Sequence, residues 1–199
     1  DLSSCFTSIS RSTTGVSGDL AGAGSFNLPN AATRPPVATY KYAYIIVGKT
    51  FGLRGSYALS NGTTYYSDST GANLSTTGPA VNHSEVLDDF GNGGFSPEWG
   101  TDPNNPEVLA GSGKISALLL NSSFTRSTSA GNTVYLLGAF EADAGNEVVI
   151  TDKTTGVTVE LQVTDAGYTV IPFGVGHAKA GQPSEFGSAP FRPVFTVTE

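Results

Sequence analysis

Few residues in this chain have the types and spacing that chemistry requires. The histidines are His83 and His177. A hydrolase elbow would read Gly-x-Ser-x-Gly, and no serine here has glycine two residues before and two after it. Catalytic triads are recognised by geometry and not by order, but with 22 Ser and 9 Asp in the chain that freedom singles out no set. His83 is expected on a polar loop and His177 on another, after Gly174-Val175-Gly176.

The one aromatic–acid cluster is Gly94-Phe95-Ser96-Pro97-Glu98-Trp99-Gly100, with Asp88, Asp89, Asp102 and Glu107 nearby. A glycosidase needs two carboxyls about 5 to 10 Å apart across a sugar cleft, and Trp99 would serve as the sugar platform. A lone tryptophan in a loop is more often a packing anchor. Asp88-Asp89-Phe90-Gly91-Asn92-Gly93-Gly94 offers the hard oxygens that Ca²⁺ prefers. Phe90 and Gly91 interrupt the D-x-[DN]-x-[DN]-G spacing of a calcium loop, so the string reads as a turn. Gly111-Ser112-Gly113-Lys114 is not a phosphate loop, because Ile115 and Val108 stand where Ser/Thr and Gly are required. No catalytic, cofactor or metal residue is assigned, and the chain is expected not to be an enzyme.

Modification and pairing chemistry is better represented. Asn61-Gly62-Thr63, Asn73-Leu74-Ser75, Asn82-His83-Ser84 and Asn121-Ser122-Ser123 are N-glycosylation sequons. Asn61, Asn73 and Asn82 cluster where a surface loop is expected. The single cysteine, Cys5, forms no disulfide framework or Cys-rich zinc site. Burial between Leu2 and Phe6 is the expected state of this small hydrophobe.

The elements that must position these residues read as strands. Tyr40, Tyr42, Tyr44 and Ile46 alternate with Lys41, Ala43 and Ile45, a period-2 pattern rich in aromatic and β-branched residues. Residues 50–59 read as a second strand with glycine irregularities. Residues 61–105 form a long loop region, with short strands expected at 63–67 and 84–90. Further strands are expected at 107–110, 114–124 and 133–140. Those at 147–151, 157–163 and 168–173 are expected to form a meander across short turns. In 157–163 the apolar residues alternate with Thr, Glu and Gln, the pattern of a sheet with one wet face. A last strand runs to the end of the chain. No stretch keeps a 3.6-residue period over three turns. The expected fold is all-β, a β-sandwich or jelly-roll-like domain over 37–199, preceded by an extended N-terminal segment over 1–36.

Composition narrows the role. The chain has 199 residues, a formal net charge of −7 and 14% charged residues, against roughly 25% in an ordinary soluble domain. The acidic balance argues against neutralising nucleic-acid phosphates. No apolar run approaches the ~18 residues of a membrane helix. The 25 Gly, 22 Ser and 23 Thr fit an extracellular surface, and a secreted, processed precursor is expected.

Weak charge leaves strand edges poorly guarded against pairing. The N-terminal segment is apolar every few residues but too small-residue-rich to build its own core. Strand donation by residues 2–9, with Leu2, Cys5, Phe6 and Ile9 as the donated segment, would complete a neighbour's sheet and, repeated head to tail, build an open filament. In architecture this resembles microbial extracellular filament subunits that assemble by donated strands. The expected partners are copies of the chain itself and covalent glycans. The alternatives are a viral or phage coat or fibre domain, and a carbohydrate-binding or glycan-cleaving β-sandwich using Trp99 and the nearby acids.

Overall fold

The computed structural model describes residues 5–9, 15, 17–19, 32–70, 74–91, 93–100, 108–109, 113–162 and 167–199. Leu2 and Asn73 lie outside them, as do Asp102 and Glu107. The fold is all-β, with antiparallel pairing throughout the described residues.

The centre is built by β9 (Gly113–Leu120) and β10 (Tyr135–Ala142). Their sequences, GKISALLL and YLLGAFEA, carry one charge each. Such near-continuous apolar runs belong to strands flanked on both edges and covered on their faces. Leu119, Leu120, Leu137, Phe140 and Ala142 accordingly form most of the buried apolar core, joined by Ile150 and Phe186. The two charges meet in register, Lys114 opposite Glu141, a favourable cross-strand pair.

On the far side of β10 lies β2 (Tyr42–Gly48), and beyond β9 lie β7 (Glu98–Trp99) and β8 (Val108–Leu109). These five strands are the largest sheet. The rest pair as ribbons: β1 (Ala38–Tyr40) with β11 (Val148–Ile150), β3 (Thr50–Leu53) with β6 (His83–Val86), and β4 (Ser56–Ala58) with β5 (Thr64–Tyr66). β12 (Gly156–Gln162) pairs with β15 (Arg192–Thr198), and β13 (Tyr168–Pro172) with β14 (Pro183–Ser188). Phe140 and Phe195 set the β12–β15 ribbon against the central sheet, with ring centroids 5.6 Å apart.

Strands occur near the expected positions of the C-terminal half, but the meander does not form. β11, β12 and β13 each find a partner distant in sequence. Apolar register pairs explain the choice: Val157 faces Val197, Val159 faces Phe195, and Val170 faces Phe186. Side-chain pairs of this kind are the unit of sheet stability, and here they outweigh short connections. The expected dry face of β12 is also absent, since Val157 is 40% exposed and Val159 48%.

Three side-chain environments also differ from expectation. His83 is on a strand and buried, not on a polar loop. Cys5 is exposed, and its neighbour Phe6 is 39% exposed, because the described stretch around it pairs through a single bridge, Ile9 to Ala32. Trp99 is in a strand, opposite Ala117 of β9.

Candidate functional site

Strand β2 forms one border of the largest sheet. Among the described residues β2 pairs on one side only, with β10. The register places Tyr42 opposite Glu141 and Gly48 opposite Tyr135. Just beyond the strand ends, the Ala142 N–H donates to the Lys41 carbonyl and the Lys49 N–H donates to the Val134 carbonyl. In an antiparallel ladder hydrogen-bonded residues alternate. The backbones of Lys41, Ala43, Ile45, Val47 and Lys49 therefore face β10, while those of Tyr42, Tyr44, Ile46 and Gly48 face the open edge.

That edge carries none of the usual protection. The sequence YAYIIVG has no charge, no proline and no bulge. Native sheets blunt exposed edges with such devices, and a long apolar edge without them is a template for another strand. The closest charges flank it. Lys41 Nζ and Glu141 Oε1 are 2.7 Å apart, and Lys49 Nζ and Asp88 Oδ2 are 3.4 Å apart. The first pair holds the Glu141 carboxyl below its usual range, mainly through the Lys41 hydrogen bond, and raises the Lys41 ammonium above its own.

The described part of the N-terminal segment touches β2 through one side chain. The hydroxyls of Thr7 and Tyr44 are 2.7 Å apart, and the Thr33 N–H donates to the Ser8 carbonyl over 2.6 Å. Of the expected donated residues, Cys5 and Phe6 are exposed and Ile9 is half-buried; Leu2 is outside the described residues.

The sequons divide by geometry. Asn61 and Asn82 are exposed. Asn121 is half-buried and fully engaged in a turn. Its Oδ1 accepts from the N–H groups of Ser123 and Thr125, and its Nδ2, the atom a glycan would take, donates to Thr125 Oγ1 over 2.8 Å. The turn also holds Phe124 at a φ of 59°, uncommon for a bulky residue. Its ring stacks on Tyr135 with centroids 4.6 Å apart.

Of the acids near Trp99, Asp88, Asp89 and Glu98 are among the described residues. Glu98 and Trp99 are consecutive strand residues, so their side chains leave opposite faces of the sheet. Glu98 is 3.0 Å from Arg126. Asp89 closes its own loop: its Oδ1 accepts from the N–H groups of Gly91 at 2.7 Å and Ser96 at 2.8 Å. Those two bonds, Ser96 first, hold its carboxyl below the usual range. Among the described residues no three His, Cys, Asp or Glu side chains are placed to hold a metal ion. His177 stacks on Phe173 at 4.3 Å, and its Nδ1 accepts the Lys179 N–H.

Edge strands were legible only in part. The period-2 pattern located β2, but which strand ends up at the border of the sheet depends on long-range pairing. No family model, curated protein or solved structure matches this chain.

Proposed function

We propose that this chain is a non-enzymatic structural subunit of an extracellular filament or surface assembly, polymerising with copies of itself by strand addition. The observation that carries the reading is the edge of β2 over Tyr42–Gly48, uncharged and, among the described residues, unpaired. An incoming extended segment would find there the N–H and C=O groups of four residues already aligned.

Residues 2–9 are the proposed occupant. Within one chain, Thr7 sits against Tyr44. Donated to a neighbour, the segment would add backbone pairing along the edge to that side-chain contact. The intervening stretch 10–31 is rich in Gly, Ser, Ala and Thr. A sandwich-like or jelly-roll-like layering belongs to the proposal, supported by the Phe140–Phe195 pair between the central sheet and the β12–β15 ribbon. Glycans on the exposed Asn61 and Asn82 fit the same extracellular setting.

Electron microscopy of the concentrated full-length chain tests this reading, with a variant lacking residues 1–10 beside it. The expected result is filaments or ordered assemblies from the full chain and monomers from the truncated one. Persistent monomers from the full chain, or unchanged polymers from the truncated chain, would overturn it.

A further inference from the structure

Residues 5–9 are tied to their own chain at two places. The first is the contact of the Thr7 and Tyr44 hydroxyls, 2.7 Å apart. The second lies two residues on. Ile9 forms an antiparallel bridge with Ala32, and the Thr33 N–H donates to the Ser8 carbonyl. The bond falls one residue outside the Ile9–Ala32 pair, so that pair is the non-hydrogen-bonded one of the ladder and Ser8 stands opposite Thr33.

The stretch that makes the second tie is itself anchored. The Arg34 guanidinium donates to the Thr151 carbonyl, one residue past the end of β11. The Tyr40 hydroxyl donates to the Pro36 carbonyl over 3.0 Å, and β1 pairs in register with β11. Residues 32–40 are thus fastened to the body of the chain, and the bridge fastens Ser8 and Ile9 to them. Ala32 and Thr33 are exposed, and Ser8 and Ile9 are half-buried. Water is at hand for the separated groups, which keeps the net strength of the tie small and its opening reversible.

We infer, resting on the strand donation proposed above, that the Ile9–Ala32 bridge and the Ser8–Thr33 hydrogen bond form an autoinhibitory clip. Closed, the clip holds residues 5–9 on their own chain. Open, it frees them for the β2 edge of a second copy. The two ties differ in what donation does to them. A second copy presents its own Tyr44 hydroxyl to a donated Thr7, so that contact has a replacement at the edge itself. The tie to residues 32–33 has to open first. The clip therefore governs the rate of assembly, because only the open fraction of chains is competent to donate. Loss of one ordinary hydrogen bond raises that fraction about fivefold.

Assembly kinetics of the full chain, followed by light scattering, test the clip. Thr33→Pro removes the N–H that Ser8 accepts. It restricts Ala32 to extended backbone, the conformation the bridge already requires, and it alters an exposed position. This variant is expected to assemble about fivefold faster than the unaltered chain. Thr33→Ala, which keeps the N–H, is expected to assemble at the unaltered rate. In the dilute monomer the Thr33 amide is expected to exchange more slowly than its intrinsic rate. An unchanged rate in Thr33→Pro, while the full chain assembles and the chain lacking residues 1–10 does not, would overturn the clip and leave strand donation standing. Equal acceleration in Thr33→Ala, or a Thr33 amide that exchanges at its intrinsic rate, would also overturn the clip alone. Failure of every one of these chains to assemble would overturn strand donation itself, and the clip with it.

Discussion

Replacing Tyr42 and Gly48 together with proline isolates the open edge from the fold. Both backbones face away from β10, so neither substitution removes a bond of the β2–β10 ladder. Tyr42 is 63% exposed, and a Cβ on Gly48 would meet nothing within 4 Å. Stability is therefore expected to change by no more than about 1 kcal/mol, with proline's restriction of the unfolded chain partly offsetting any loss. Strand addition loses two of four outward N–H donors. At about 1 kcal/mol net for each bond, association weakens by about 2 kcal/mol, or roughly 30-fold, before the bulk of the rings is counted. Val47→Pro is the contrasting variant. Its N–H faces β10, so this substitution removes a ladder hydrogen bond and lowers fold stability. Critical concentration for assembly, measured by sedimentation, and urea midpoints read the two effects separately. An unchanged critical concentration in Tyr42→Pro/Gly48→Pro, with the fold intact, would refute the assignment of the edge.

Further outcomes follow from the same geometry. Removing residues 1–10 is expected to leave the circular dichroism of the β-structure in place while sedimentation shows monomers only. Expression in a glycosylating host is expected to give peptides carrying glycan at Asn61 and Asn82 but not at Asn121, read by peptide mass mapping, and Asn121→Ala is expected to cost about 1–2 kcal/mol in denaturant unfolding through loss of the turn. Asp89 and Glu141 titrate below their ordinary carboxylate values, so their contributions are present above that range and are lost as pH falls through the lowered values; protection of the Gly91 and Ser96 amides relative to their intrinsic exchange rates should fall in acid, and Asp89→Asn should remove that pH dependence. Gly113→Ala is expected to destabilise the central sheet by about 2–3 kcal/mol in urea unfolding, because the new methyl would run into the Glu141 carbonyl oxygen.

The sequence reveals the strands far better than their partners. Alternation in Tyr42–Ile46 and the apolar runs of 114–120 and 135–140 are local signals, and the strands lie there. β14 escaped notice because Pro183 and Gly187 look like loop residues, although the strand buries Phe186 at 4% exposure. The β11–β12–β13 meander was inferred from short turns, whereas pairs such as Val159 with Phe195 decide the topology. The polar sequence around His83 suggested a loop, since Asn82 and Ser84 are exposed while the histidine between them turns inward. A cleft beside it is lined by residues about a hundred positions away, Glu185 and Phe186 among them. Spacing along the chain carries no trace of that proximity. The acids near Trp99 show the converse: adjacent in sequence, Glu98 and Trp99 are separated by the sheet itself.

The central claim is that the edge of β2 receives a strand from a second copy. Amide hydrogen exchange of Tyr42, Tyr44, Ile46 and Gly48, compared between dilute monomer and concentrated assembly, addresses it residue by residue. Rapid exchange at all four in the monomer and strong protection in the assembly are expected, while Ala43, Ile45 and Val47 are protected in both. Assemblies in which those four amides exchange as fast as in the monomer, or a chain that stays monomeric at every concentration, would contradict it.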